Sequence, residues 1–334
     1  MCALSGPKWR KVKKMPSLLK TAFQHALIVI ITLVLTGIMG EILLRVKNSS
    51  QQNYVIEMWR YARELKSISN DTRFGHIHRP NSEATLQNID IRINSLGLRG
   101  PEPILAANDV KKILILGSSI TLGWGVEEDL TLSSRLEREL GGNYAVFNGG
   151  VGNYNLLRSV NFFRERLNDK IKPDIVVVNY FINDAEYLGL SVDNFIFRNS
   201  QLAVTLYHVV QGFREGSFDM HSLINHYKDL YTPGNRGYKD MLKAIAELKE
   251  LSEARGFRVI FSMIPDIHQL RDYPFDFIHD QMKNLADENG WAYIDFLDDL
   301  KDFEGPELWT IPGDPHPNAL VHEIMARELA TQIE

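Results

Sequence analysis

At 334 residues, 44% hydrophobic and 24% charged, the chain has the make-up of a globular protein of one large domain or two smaller ones, which excludes collagen-like, wholly disordered and disulfide-framework chains. Lys plus Arg number 37 and Asp plus Glu 42, a formal net charge of -5, so the balance predicts no attraction to nucleic acid. Cys2 is the only cysteine, which rules out an intramolecular disulfide and a cysteine-based metal cluster.

The charge is unevenly spread. Lys8, Arg10, Lys11, Lys13, Lys14 and Lys20 all precede the first acid, Glu41. Residues 1–20 are therefore read as a basic cytoplasmic leader, and residues 21–45, uncharged until Glu41, as a transmembrane anchor. About 20 helical residues at ~1.5 Å rise cross the ~30 Å hydrocarbon core. The leader should stay cytoplasmic and the rest of the chain should be translocated, to the periplasm if the cell is Gram-negative. A cleaved signal peptide is the alternative, but the run is long and no small-x-small site precedes Glu41. Glu41 and Arg45, four apart, are spaced to pair at the membrane edge.

Residues 46–108 read as a stalk or short helix, with Ile56, Trp59, Tyr61 and Leu65 among charges, followed by a small β appendage containing the alternating run 89–94. From 109 to 334 apolar strands alternate with helices. The strands are 111–117, 144–150, 174–181, 257–265 and 291–297; the helices are 133–140, 155–168, 237–255, 275–289 and 318–333. That pattern predicts an α/β fold, a three-layer, flavodoxin-like parallel five-stranded sheet with helices on both faces. Residues 185–236 interrupt it with an aromatic-rich insertion, read as a lid or substrate wall or as plain packing.

Ligands on such sheets bind at the carboxyl ends of the strands, and three of four sets of candidate residues fall there, the fourth in the final loop. Ser119, in the segment from Gly117 to Gly123, follows the first strand, where a nucleophile could sit with its oxyanion near helix amides; a serine-capped turn is the plainer alternative. The second strand ends at Asn148-Gly149-Gly150-Val151-Gly152-Asn153, a tight turn or a close backbone approach to a ligand. Its spacing is not that of a dinucleotide loop. The third ends at Asn183-Asp184, where an amide could donate to developing negative charge or form an Asx turn. Before the last helix, His316 lies between Pro315 and Pro317 with Asp314 two residues earlier, suited to a general base and its orienting carboxylate. His76, His78, His221 and His226 have no comparable setting, and His-x-His at 76–78 alone is weak metal evidence.

Taken together, these residues resemble the SGNH (GDSL-type) hydrolase superfamily over about 109–334. Gly117, Ser119 and Thr121 match its G-x-S-x-T, Gly150 its second-block glycine, Asn183 its asparagine, and His316, followed by Pro317-Asn318, its histidine. The resemblance implies Ser119 as nucleophile, His316 as base, and an oxyanion hole of Ser119, Gly150 and Asn183, with no metal or organic cofactor. Ser118 replaces the family's frequent Asp, and Gly313 stands where its acid commonly lies. Asp314 is the expected substitute, with Asp302, Glu307 or no acid as alternatives. Residues 94–100, Asn-Ser-Leu-Gly-Leu-Arg-Gly, resemble a segment found ahead of this domain in membrane-anchored bacterial members. Those members imply an esterase or O-acyltransferase acting on acyl, chiefly acetyl, esters of an envelope or secreted carbohydrate, with a membrane polysaccharide or O-acyltransferase complex as the partner they suggest. A non-catalytic binding or scaffold subunit of such an assembly is the rival reading.

Overall fold

The computed structural model describes residues 17–105, 110–189, 194–215 and 219–333; the basic residues from Lys8 to Lys14 lie outside them. Helix α1 (Ser17–Lys47) is long and apolar enough to cross a membrane, and most of its apolar side chains are exposed among the described residues. Helix α2 (Tyr54–Glu64) follows, then an antiparallel pair, β1 (Lys66–Ile68) with β2 (His76–His78), and a hairpin of β3 (Ser82–Leu86) and β4 (Ile89–Ile93). The hairpin's two-residue tip puts Gln87 and Asn88 at φ 52° and 63°, the left-handed geometry such turns demand. Segment 54–65 is no free stalk. Ile56, Tyr61 and Leu65 are buried, and Tyr61 and Leu65 share a core with Leu86, Ile91, Ile93, Leu122 and Trp124.

Beyond residue 110 come β5 (Lys111–Gly117), α3 (Ser119–Leu122), α4 (Leu132–Leu140), β6 (Tyr144–Gly150), α5 (Leu156–Phe162), α6 (Asn168–Ile171) and β7 (Ile175–Phe181). The insertion forms α7 (Phe195–Asn199), α8 (Gln201–Glu215) and α9 (Met220–Leu230). Then follow α10 (Arg236–Arg255), β8 (Arg258–Ile264), α11 (Asp276–Glu288), β9 (Ala292–Asp295), α12 (Leu297–Leu300), a short hairpin of β10 (Trp309–Ile311) and β11 (Asp314–Pro317), and α13 (Ala319–Ile333). The five central strands pair in parallel in the order β6-β5-β7-β8-β9, the α/β architecture expected of the alternating pattern.

Their apolar runs are continuous because both faces are covered. Along β5, Leu114 and Leu116 join the core beneath α5, α10 and α11, while Ile113 and Ile115 join the one beneath α4 and α13. In β7, Val176 and Val178 divide from Ile175 and Val177 in the same way. This is the period-two alternation of a pleated strand, and each full burial of such a side chain stabilises by roughly 1.5–3 kcal/mol.

Arg99, from the segment 94–100, is buried and ties the appendage to this sheet. Its Nη1 donates to the carbonyls of Leu122 (2.9 Å) and Gly123 (2.6 Å), and its Nη2 to that of Val126 (2.6 Å). A buried guanidinium thus satisfies the carbonyls that end α3.

Three histidines are buried neutral. His76 is pushed down to about 3 by burial and then by the charge of Lys66, His78 to about 4 by burial, and His322 to about 3 by burial and then by Arg99. An unfolded histidine titrates near ~6.5, so between those values the unfolded chain binds more protons. Their stabilisation is complete above pH ~6.5 and is lost as the pH falls toward the folded values. Asp184, pushed up to about 8 by burial, works in the opposite sense with one proton against three. The melting temperature is therefore expected to fall between pH 7 and 5, and His322→Asn, which keeps an acceptor for the Leu132 amide, should shallow the fall. A flat profile would mean that these rings are hydrated.

Candidate active site

Ser119 opens α3 directly after β5. The turn is tight: a Cβ at Gly117 would lie 2.1 Å from Thr121 Oγ1, and one at Gly150 2.1 Å from the Leu122 amide nitrogen. Thr121 Oγ1 in turn accepts from Asn179 Nδ2 (2.9 Å). The glycine and threonine of the G-x-S-x-T segment thus bring β5 and α3 together, and their backbone holds the serine at the sheet's carboxyl edge.

The hairpin β10–β11 brings the histidine. Residues i and i+2 of an extended strand share a face, so Asp314 and His316 point the same way, although the more usual acid position, 313, is a glycine at φ 84° in the hairpin turn. His316 Nε2 lies 2.8 Å from Ser119 Oγ, and His316 Nδ1 lies 2.6 Å from Asp314 Oδ1. The His316 amide also donates to Oδ1 (3.2 Å). Asp302 and Glu307 make no hydrogen bond or ion pair with the ring among the described residues.

Two residues that the sequence did not single out complete the carboxylate's shell. Gln87 Nε2 (2.5 Å), from the hairpin tip, and Trp124 Nε1 (2.9 Å) both donate to Asp314 Oδ2. Burial pushes this wholly buried carboxyl up, but bonding to His316 and its charge, then Gln87 and Trp124, outweigh it and hold Asp314 below the usual carboxylate range. It is an acceptor for four donors. Tyr54, at the start of α2, lays its ring 5.7 Å from that of His316, and burial, with the nearby Asp314 charge, pushes its hydroxyl up to about 12.

Asn183 borders the same cavity, of about 290 Å³, as Ser119 and His316. Its Oδ1 is buried without a partner among the described residues, and its Nδ2 makes no protein hydrogen bond there. Gly150 is a correction. Its amide is spent on Asn148 Oδ1 (3.0 Å), and it packs under α3 rather than bordering the cavity. Three residues further on, Asn153 does border it, at φ 63°, with an amide that makes no hydrogen bond among the described residues. The signal was an asparagine in a glycine-rich turn, one of the few side chains that tolerate the left-handed region.

The appendage grips this turn from behind. The Gly152 amide donates to Tyr61 Oη (2.9 Å), and the Gly152 carbonyl is approached by Lys66 Nζ (3.1 Å) and His76 Nε2 (3.0 Å). His78 Nε2 lies 2.6 Å from the same Tyr61 hydroxyl, so both members of the His-x-His pair are engaged in buried protein contacts. No group of three or more potential metal ligands occurs among the described residues. A second Asp-x-His pair, also missed in the sequence, borders the cavity: His268 Nδ1 lies 2.9 Å from Asp266 Oδ1, and this bond raises the histidine above its ordinary value. A serine hydroxyl, a ring nitrogen and unspent donors around one cavity are the parts from which acyl transfer is built.

Residues 115–324 match the GDSL-like lipase/acylhydrolase family. No curated protein matches the chain. Among solved structures, a lipase/acylhydrolase from Enterococcus faecalis is 15% identical, covering 67% of this chain and 95% of its own, with a TM-score of 0.41. A psychrotrophic esterase from Pseudoalteromonas is 14% identical over 67% of this chain and 96% of its own (TM-score 0.40). An inhibitor-bound aryl esterase of M. smegmatis is 13% identical over 67% and 98% (TM-score 0.39).

Proposed function

The chain belongs to the GDSL-like lipase/acylhydrolase family, and from that premise we propose that it is a membrane-anchored serine esterase or O-acyltransferase acting on acyl, chiefly acetyl, esters of an envelope or secreted carbohydrate. The observation that carries the reading is the unbroken chain of contacts from Ser119 Oγ through His316 to Asp314, which a scaffold subunit would not need. In this reading residues 1–20 stay in the cytoplasm, 21–45 span the membrane, and 46–108 and 109–334 work outside it. Tyr54 supports such a location. It is seven residues beyond Lys47, a reach of at most ~25 Å, so the site lies near the end of the anchor.

His316 Nε2 takes the Ser119 proton as Oγ attacks the ester carbonyl, and Asp314 steadies the imidazolium. The oxyanion accepts from the Ser119 and Asn153 amides and the Asn183 side chain. The alcohol leaves with the proton from His316, giving an acyl-serine. Water, deprotonated by His316, then releases the acid, or a sugar hydroxyl takes the acyl group.

The test is turnover of an acetyl ester by the purified full chain, with and without carbohydrate acceptors, alongside labelling by a fluorophosphonate. Wild type should label and turn over, and Ser119→Ala should do neither. Absence of both from wild type would refute the enzyme. Acyl transfer to the acceptor would identify the transferase branch.

Asn183→Ala is expected to lower kcat roughly 10²–10³-fold with little change in KM, the loss of one preorganised donor worth ~2.7–4 kcal/mol of barrier. A change confined to KM would make Asn183 a substrate-binding residue.

A further inference from the structure

The insertion forms a helix that the site does not use. Along α8, Leu206, Val209, Val210 and Phe213 fall at i, i+3, i+4 and i+7, one face of a helix. They are 55%, 48%, 49% and 86% exposed. Phe195 and Ile196 of α7 are 80% and 63% exposed beside them in sequence. From Phe195 to Phe213 the only charged residue is Arg198. Monomeric water-soluble proteins rarely leave such a stripe uncovered.

The start of α8 is tied to α1 where its apolar run ends. Glu41, the first charge after that run, caps α8: its carboxylate accepts from the amides of Gln201 (3.1 Å) and Leu202 (2.9 Å) and from Ser200 Oγ (2.9 Å). Arg45 bonds Glu41 and donates to the Asn199 carbonyl (3.0 Å), and Asn48 Nδ2 donates to Gln201 Oε1 (3.0 Å). Trp59 of α2 donates to the Phe197 carbonyl (2.5 Å). These bonds hold the insertion level with the membrane edge of the anchor.

Resting on the anchor reading above, we infer that α7 and α8 lie in the lipid–water interface, with the Leu206, Val209, Val210 and Phe213 face of α8 among acyl chains next to α1. The occupant of this face is the bilayer, because α8 starts at the Glu41 cap against the apolar run of α1, where its Leu202 lines one cleft with Val34, Gly37, Ile38 and Ile42. With so little charge, the attachment rests on apolar burial and not on anionic headgroups. The catalytic domain is thereby fixed in orientation over the membrane instead of swinging on a single helix.

The test uses the full chain in phosphatidylcholine vesicles, on a Cys2→Ser background, with an environment-sensitive fluorophore on one new cysteine at a time. The positions are Val210→Cys and Phe213→Cys on the apolar face, His208→Cys on the opposite face, and Leu33→Cys in the anchor. Brominated phosphatidylcholine should quench the labels at 210 and 213 several-fold more than that at 208, and equally at low and high salt. If 33 is quenched but 210 and 213 are no more quenched than 208, the inference fails while the anchor stands. In that case iodide distinguishes a face in water, where it quenches, from one covered by a second copy, where it does not. If 33 is not quenched either, the anchor reading itself has failed.

Discussion

Ser119→Ala is expected to lower ester turnover on the order of 10⁶-fold while leaving the melting temperature within a few degrees of wild type. Without Oγ there is no nucleophile, and the remaining donors can only assist water. In a Ser–His unit the single losses are about as severe as the combined one. His316→Ala should therefore match Ser119→Ala, and the double variant should be no slower than either. The fold should tolerate all three. Ser119 and His316 are each part-exposed, and their mutual bond is worth only ~0.5–1.5 kcal/mol of stability. Turnover surviving in Ser119→Ala, or losses that multiply in the double variant, would remove Ser119 or its pairing with His316 from the mechanism.

Asp314→Asn is expected to lower kcat roughly 10⁴-fold and, unlike the serine change, to destabilise the protein. The carboxylate accepts at Oδ1 from the amide and ring of His316 and at Oδ2 from Gln87 and Trp124. An amide offers one acceptor oxygen. Whichever way it is turned, its NH₂ faces donors, and a buried unsatisfied group costs ~1–3 kcal/mol. If the NH₂ faces the ring, His316 must hold its other tautomer, with the proton on Nε2, and cannot accept from Ser119. If the NH₂ faces Gln87 and Trp124, they lose their acceptor. A loss of stability with kcat within tenfold of wild type would reduce Asp314 to a structural residue and leave a Ser–His pair.

The central sheet was legible because its runs are apolar on both faces, so that five strands announce themselves without tertiary information. The grouping of Ser119 and Asn183 was legible for a related reason: in an open parallel sheet, residues just past the strands converge at one edge, to which the β10–β11 hairpin adds His316. Asp314 and His316 were legible as neighbours, although only the β10–β11 hairpin makes the i, i+2 spacing a side-by-side one. Gly150 was misplaced because a glycine after a strand fits two demands equally, approach to a ligand or approach to another backbone. The Asn148 side chain and the α3 backbone, both distant in sequence or set by turn geometry, select the second.

What the sequence determined by itself is what local pattern encodes: an apolar helix, a parallel α/β sheet, and reactive side chains at strand ends. What only the tertiary structure decided are the contacts that bridge long separations. Gln87 lies 227 residues from the carboxylate it holds, and Trp124 lies 190. Glu41 caps a helix 160 residues further on. Nothing in a hairpin tip, a tryptophan after a glycine or a membrane-edge glutamate declares its partner. A hydrogen bond needs only one donor and one acceptor, both common, whereas periodic apolar burial needs many residues in phase and therefore leaves its mark on the chain.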